Sequence, residues 1–302
     1  MLLRLAITAV ILAILAMGID MRESARAIAT IDLRYLTLVL VLVAIDRMVM
    51  IHRWILLLRA RGIAIASSEA ARLFLVSSFV GSFLPAGIGG DVARAYGLRD
   101  TTSGSDAVAS VAVDRLIGIQ SLVLMAFVGV LLWPWDQMDW RLPTLMGIGV
   151  VGSIALFWSD AWLRWLVPAH RHQGFITRRV LRLTDAVGRY RGHRGALFHV
   201  MAWSIVVQVL RVTQAYLLGL GLGMTVPYAY FLLFMPFALL LLLLPISISG
   251  FGLPQGGIVW MLGPMGVPEA QSFALSTLIV LTGLAGNIPG LWLWLRQRRE
   301  IL

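Results

Sequence analysis

The chain has 302 residues and a formal net charge of +10, and it is 59% hydrophobic and only 13% charged. With a mean hydropathy of +0.87 it lies outside the usual range of soluble domains. A soluble enzyme is excluded. The positive charge reads as positive-inside bias and attraction to anionic lipid, not as a nucleic-acid surface. All 25 cationic residues are Arg, which removes Schiff-base and P-loop lysine chemistry. The absence of Cys removes disulfides, thiolate nucleophiles and Cys metal sites.

Apolar runs of about 17–25 residues recur, long enough to cross a bilayer as helices. They are continuous and not alternating, which excludes a closed barrel. In chain order, spans are predicted at Leu3–Ile19, Tyr35–Leu58, Ala107–Trp133, Leu145–Val167, Leu197–Leu220 and Phe273–Leu295. The first lacks a clear small-x-small cleavage site and is read as an uncleaved span. Two shorter runs break off at Pro and clustered Gly, which end helices. Ala70–Leu84 enters Pro85-Ala86-Gly87-Ile88-Gly89-Gly90-Asp91, and Phe231–Leu244 enters Pro245-Ile246-Ser247-Ile248-Ser249-Gly250-Phe251-Gly252-Leu253-Pro254. A further short run follows each, so each reads as a re-entrant hairpin. Broken backbone at depth is tolerated where it is buried in protein or lines a cavity. The expected fold class is an all-α polytopic membrane protein with about six transmembrane helices plus two re-entrant helical hairpins.

Arg164–Arg194 carries eight Arg, whereas Pro134–Pro143 carries one, and Arg296, Arg298 and Arg299 close the chain. Placing the Arg-rich segments in the cytoplasm puts both termini inside. Arg22, Arg26 and Arg34 then lie outside, accompanied by Asp20, Glu23 and Asp32. In this orientation residues 1–142 and 143–302 share one plan in opposite senses, an inverted repeat of the kind transporters use. Within the basic cytoplasmic segment 164–195, Ile176, Val180, Leu183 and Val187 recur at helical spacing, as in an interfacial amphipathic helix. Trp at 133, 135, 140, 162, 165, 292 and 294 fits an aromatic belt. His170, His172, His193 and His199 have no spacing that makes a metal site.

Charged groups inside spans cost about 2.5–3.5 kcal/mol each at a helix centre, so they face the protein interior, pair, or line a wet cavity. They are Asp46-Arg47, Asp114-Arg115 and Arg211, with Gln120, Gln208, Gln214 and Asn287 as uncharged companions. Asp46 and Arg53 share a helix face, as do Gln208 and Arg211. The Asp and Arg residues either pair to hold helices together or meet an anionic ligand. Arg211 has no acidic neighbour in its own span. It is the leading candidate to meet an anion, unless Asp114 or Asp46 on another helix takes it up. In the first break Gly89 and Gly90 allow close backbone approach, Asp91 is placed to cap the following helix, and Arg94 is one turn on. The second break offers Ser247, Ser249, Gly250, Gly252 and Gln255. The polar centre so assembled has more Arg than Asp, which suits a phosphate-bearing headgroup.

The segment Phe83-Leu84-Pro85-Ala86-Gly87-Ile88-Gly89-Gly90-Asp91-Val92-Ala93-Arg94, followed by Asp114-Arg115-Leu116-Ile117-Gly118, resembles the lysylphosphatidylglycerol synthase transmembrane (flippase-like) family, and so does Pro245–Gly252. The resemblance implies movement of a polar lipid between leaflets of a bacterial inner membrane. Gln255 stands near a place where the family often has an acidic residue, which puts an acidic contact to a cationic headgroup in doubt. The chain ends just after its last span, so an aminoacyl-transferase activity is not expected from it.

The expected function is therefore that of a lipid transporter, with no catalytic residue, metal or cofactor. Its partners would be membrane lipids, mainly anionic headgroups, with no nucleic acid. The headgroup site is assigned to Arg211, Arg94, Asp91, Arg115, Asp114, Asp46, Arg47, Gly89, Gly90, Ser249, Gly250 and Gln255. Two other readings stand beside it. One is an integral-membrane glycosyl- or phosphoryl-transferase with Asp91 or Asp114 as general base. The other is an accessory subunit bound to a lipid-synthesis enzyme.

Overall fold

The computed structural model describes residues 20–83, 88–133, 185–243 and 253–301, with isolated positions between 144 and 155. The predicted span Leu3–Ile19, nearly all of Leu145–Val167, and Ile176, Val180 and Leu183 lie outside the described residues. Those described form helices and turns, with no strand among them. The protein is an all-α polytopic membrane protein.

Helix α1 (Met21–Ala29) starts at Asp20, whose carboxylate accepts from the backbone N–H of Arg22 and Glu23. Helix α2 (Leu33–Ala60) starts at Asp32, which accepts from the N–H of Arg34. Both aspartates thus satisfy orphan N–H groups at helix starts. At 28 residues α2 is about 42 Å long, enough to cross a bilayer core. Helices α3 (Ser67–Ser82) and α4 (Ile88–Gly97) follow, then α5 (Gly104–Leu132), capped by Ser103. The helix α6 (Arg194–Gly221) is again 28 residues long, and α7 (Tyr228–Leu243) contains Pro236. Helix α8 (Leu253–Leu262) leads through a short 3-10 turn to α9 (Glu269–Ala285) and α10 (Ile288–Ile301).

The predicted span Phe273–Leu295 falls within Glu269–Arg296, long and apolar enough to cross a bilayer, but carries a break, and one other expectation changes. The break is at Gly286 and Asn287. There Gly286 lies against Val43 and Arg47, the Asn287 amide donates to Ser82 Oγ at 2.7 Å, and Pro289 sits at the start of α10 where its missing N–H does no harm. Val187, expected on the lipid surface, belongs to a helical turn over 185–190. It packs with Ala186 and Tyr190 against Leu57, Ala109, Val113 and Val200.

The closest long pairing is α2 with α6, joined at one end by the Asp32 N–H donating to the Gly221 carbonyl. Around this pair α3 packs on α4 and α10, and α7 packs on α8 and α5. Lipid gives helices no hydrophobic drive to associate, so close packing of small residues carries the weight. At Gly129 on α5 an added Cβ would stand 2.5 Å from the Leu232 carbonyl oxygen of α7, and at Gly290 on α10 it would meet the Leu75 carbonyl of α3. Large apolar side chains cover the outside, among them Leu33, Met48, Leu132, Phe198, Trp260 and Trp292. That exterior matches a lipid solvent.

Replacing Gly129 by Ala is predicted to force α5 from α7 and lower the thermal unfolding midpoint in detergent, by about 1–3 kcal/mol of stability as for other overpacked sites. Gly104→Ala, where an added Cβ meets nothing within 4 Å, should leave it unchanged. Equal midpoints for the two variants would contradict this packing account.

Candidate functional site

The polar residues of α2, α5 and α6 sit on the same stripes as the buried apolar ones. On α2 the buried positions run Val39, Val43, Asp46, Arg53, Leu57, and on α6 Val200, Ser204, Gln208, Val212, Ala215. Steps of three, four and seven keep them on one face. These faces meet with α3, α4, α7 and α9 around a cavity of about 420 Å³. Its wall holds eight charged side chains: Asp46, Arg47 and Arg53 from α2, Asp91 and Arg94 from α4, Asp114 and Arg115 from α5, and Arg211 from α6.

They form two chains of ion pairs. In the longer one, Arg53 donates through Nε and Nη2 to Asp114 Oδ1 at 2.9 and 2.8 Å, and through Nη1 to Ser204 Oγ at 2.9 Å. Arg94 donates to Asp114 Oδ2 at 3.2 Å and to Asp91 Oδ1 at 3.0 Å, and Arg115 donates to Asp91 Oδ2. The Arg94 guanidinium also lies over the rings of Phe74 and Trp54, 4.8 and 5.3 Å from their centres. In the shorter chain Asp46 receives Arg47 on Oδ2 at 3.4 Å and Arg211 on Oδ1 at 3.3 Å. Arg47 also reaches the Gly283 carbonyl of α9 at 3.2 Å. The guanidinium groups of both Arg47 and Arg211 approach Met50 Sδ.

Exposure rises toward the ends of the chains at Arg115 and Arg211. Side chains of Arg53 and Asp114 are 5% and 3% exposed, whereas Arg211 and Arg115 are 25% and 30% exposed. Arg53 and Arg94 hold α2, α4, α5 and α6 together. Arg211, Arg115 and Arg47 present guanidinium edges to the open cavity.

Of the residues assigned from sequence, Asp46, Arg47, Gly90, Asp91, Arg94, Asp114, Arg115 and Arg211 share this one cavity. Gly89 lies in the first turn of α4, half-buried and off the described wall. Gln255 is fully buried in α8, also off that wall. Ser249 and Gly250 lie outside the described residues. Asp91 does not cap its helix: α4 begins three residues earlier, at Ile88, and the carboxylate turns to Arg94 and Arg115. Gly90 serves close packing, since an added Cβ would lie 2.5 Å from the Ser77 carbonyl oxygen. Arg211 does have a carboxylate, Asp46, on another helix. Arg53 was not among the assigned residues, although its place one face-repeat after Asp46 was visible. Its partners Asp114 and Ser204 are on other helices, beyond the reach of any local pattern.

Both oxygens of Asp91 and of Asp114 accept from guanidinium groups. Among the described residues no group of three or more His, Asp or Glu is placed to hold a metal ion.

An apolar exterior, long helices and a buried polyionic cavity define a multi-pass membrane protein built around an internal polar site. The chain belongs to the lysylphosphatidylglycerol synthase TM region family, whose profile matches residues 1–290. That membership makes it a membrane protein of lipid handling. None of the curated proteins matches the chain.

Asp114→Asn removes the carboxylate that serves both Arg53 and Arg94, and breaking a buried pair in this way costs about 3–5 kcal/mol. Asp46→Asn, whose arginines reach the open cavity, is predicted to cost less. Unfolding followed by Trp fluorescence in detergent checks the order; an Asp114→Asn variant as stable as the parent chain would refute it.

Proposed function

We propose that the chain moves a polar, phosphate-bearing lipid between leaflets, with the headgroup in the arginine-lined cavity and the acyl chains left in the bilayer. The observation that carries this reading is five arginines on the wall of one cavity, inside a protein whose outer surface is apolar. Guanidinium groups bind phosphate oxygens in a fixed fork. A cavity wall that replaces water around a phosphate lowers the cost of carrying it through hydrocarbon. Arg211, Arg47 and Arg115 make the headgroup contacts, while Arg53, Arg94 and the three aspartates hold those contacts in place.

The inverted-repeat reading belongs to the same proposal. Helix starts recur at an offset of 161 residues (Leu33 to Arg194, Ser67 to Tyr228) and then 165 (Ile88 to Leu253, Gly104 to Glu269). Lengths recur too: 28 and 28 residues for α2 and α6, 16 then 10 for α3 and α4, 16 then 10 for α7 and α8. A 16-residue helix spans about 24 Å, short of the bilayer core, which favours α3–α4 and α7–α8 as re-entrant hairpins. One pair of contacts repeats in detail. Arg47 donates to the Gly283 carbonyl at 3.2 Å, and Gln208, its counterpart at the first offset, donates to the Gly118 carbonyl at 3.4 Å. Gly118 and Gly283 are counterparts at the second offset. Rocking of the halves about α2 and α6 would then open the cavity to alternate sides. Both termini are assigned to the cytoplasm of a bacterial inner membrane, on the Arg asymmetry of the loops.

Proteoliposomes holding the purified chain and a trace of NBD-labelled phosphatidic acid test the reading through dithionite quenching. The parent chain should expose the inner-leaflet label, and Arg211→Ala should slow that exposure tenfold or more. The same rate for the parent chain, Arg211→Ala and empty liposomes would sink the proposal.

A further inference from the structure

A second ionic cluster lies at one end of the bundle, beyond the deepest pair of the cavity, Arg53–Asp114. Arg61 follows Arg53 by eight residues at the end of α2, and Asp106 precedes Asp114 by eight at the start of α5. Eight residues are about 12 Å of helix. In this cluster Asp106 Oδ1 accepts from Arg189 Nη2 at 2.8 Å and from Arg61 Nη2 at 3.5 Å, and Ser103 Oγ donates to Oδ2 at 2.8 Å. Arg189 belongs to the helical turn over 185–190 that precedes α6. The cluster therefore ties that turn to the ends of α2 and α5.

Between cluster and cavity lies an apolar layer. Leu57 of α2, Ala109 and Val113 of α5 and Val200 of α6 wall it, and Ala186, Val187 and Tyr190 of the turn fill it. Tyr190 is the largest side chain of the layer and is fully buried, with the Arg61 guanidinium 5.8 Å from its ring centre. No spanning helix carries it. Its hydroxyl is buried without a hydrogen-bond partner, and so is the Arg61 Nε–H. Burying a polar group unpaired is costly, and a ring that swings outward gives its hydroxyl to water. The side chains of Arg189 and Asp106 are 45% and 22% exposed, and ion pairs so exposed are weak and screened by salt. The cluster holds the turn in place without fixing it.

Resting on the transport reading above, we propose that the turn 185–190 is a gate at the end of the cavity assigned to the cytoplasm, with Tyr190 as its plug and the Arg61–Asp106–Arg189 cluster as its latch. Closed, the apolar layer separates Arg53–Asp114 from water and lipid headgroups at that end. Withdrawal of Tyr190 opens a path from Arg61 and Arg189 at the surface to Arg53 in the cavity, a basic route for an anionic headgroup.

The chain has no Cys, so a single reporter thiol tests the gate. Gly118 lines the cavity, and an added Cβ there stands 3.8 Å from the Arg53 guanidinium, an ordinary contact. Gly118→Cys is treated with the membrane-impermeant anion methanethiosulfonate ethylsulfonate, from the cytoplasmic face in inside-out vesicles and from the opposite face in spheroplasts. Labelling from the cytoplasmic face should be slow. Adding Tyr190→Ala should speed it about tenfold or more, as loss of a buried aromatic side chain implies. Adding Asp106→Asn should speed it about twofold to fivefold, the scale of an exposed ion pair. Tyr190→Phe keeps the plug and should stay as slow as Gly118→Cys alone. None of the additions should raise the rate from the opposite face; an equal rise from both faces would mark a loosened fold and overturn the gate. Unchanged labelling in Tyr190→Ala, with lipid movement by the parent chain intact, would overturn the gate and leave the transport reading standing. The expected labelling in a chain that moves no labelled phosphatidic acid would support the gate and contradict the lipid reading instead.

Discussion

Three carboxylates and five guanidinium groups share one low-dielectric cavity, and the arrangement of the helices follows from how they can be paired. An intramembrane charge must find a partner or water, and a carboxylate has two oxygens to offer. Asp114 therefore draws Arg53 from α2 and Arg94 from α4 to α5, and Asp91 ties α4 back to α5 through Arg115. Asp46 does the same for α6 through Arg211. With no hydrophobic drive between helices in lipid, these bridges and the close glycine contacts at Gly90, Gly129 and Gly290 fix which faces meet. The neighbouring rings of Trp54 and Phe74 both lie against the Arg94 guanidinium.

Much of this was legible in the sequence for simple physical reasons. Continuous apolar runs gave α2, α5 and α6 to within about three residues at each end, because the bilayer sets their length. The intramembrane ions stood out because hydrocarbon makes them rare. Their pairing was not legible. Arg53 and Ser204 meet across 151 residues of chain, and periodicity carries no information about which faces of two helices meet. The same limit hid the carboxylate opposite Arg211. Local pattern also misplaced the start of α4, since the Gly-Gly-Asp run reads as a break and cap but both glycines are helical and Gly90 packs on Ser77. The interruption at Gly286 and Asn287 was likewise invisible inside an apolar run. There the Asn287 amide donates to Ser82 Oγ, and Gly286 leaves no room for a side chain against Val43 and Arg47.

The charges are unevenly shared along the chain. Seven of the eight on the cavity wall come from α2, α4 and α5, and only Arg211 comes from α6 onward. At the matching offsets the later half offers Gln208 for Arg47 and Gln214 for Arg53. One half thus supplies the ionic machinery, and the other supplies neutral amides and a single cation. In the proposed transporter this makes Arg211 the one ionic link by which a headgroup held in the first half is felt by the second.

Native mass spectrometry of the gently extracted chain tests the central claim, that this cavity holds a phosphate-bearing lipid headgroup. The account predicts a specific phosphate-bearing lipid retained at one per chain, and its loss in an Arg211→Ala variant that still unfolds cooperatively. Only bulk lipid, retained equally by both proteins, would contradict it and leave the arginines as braces between helices.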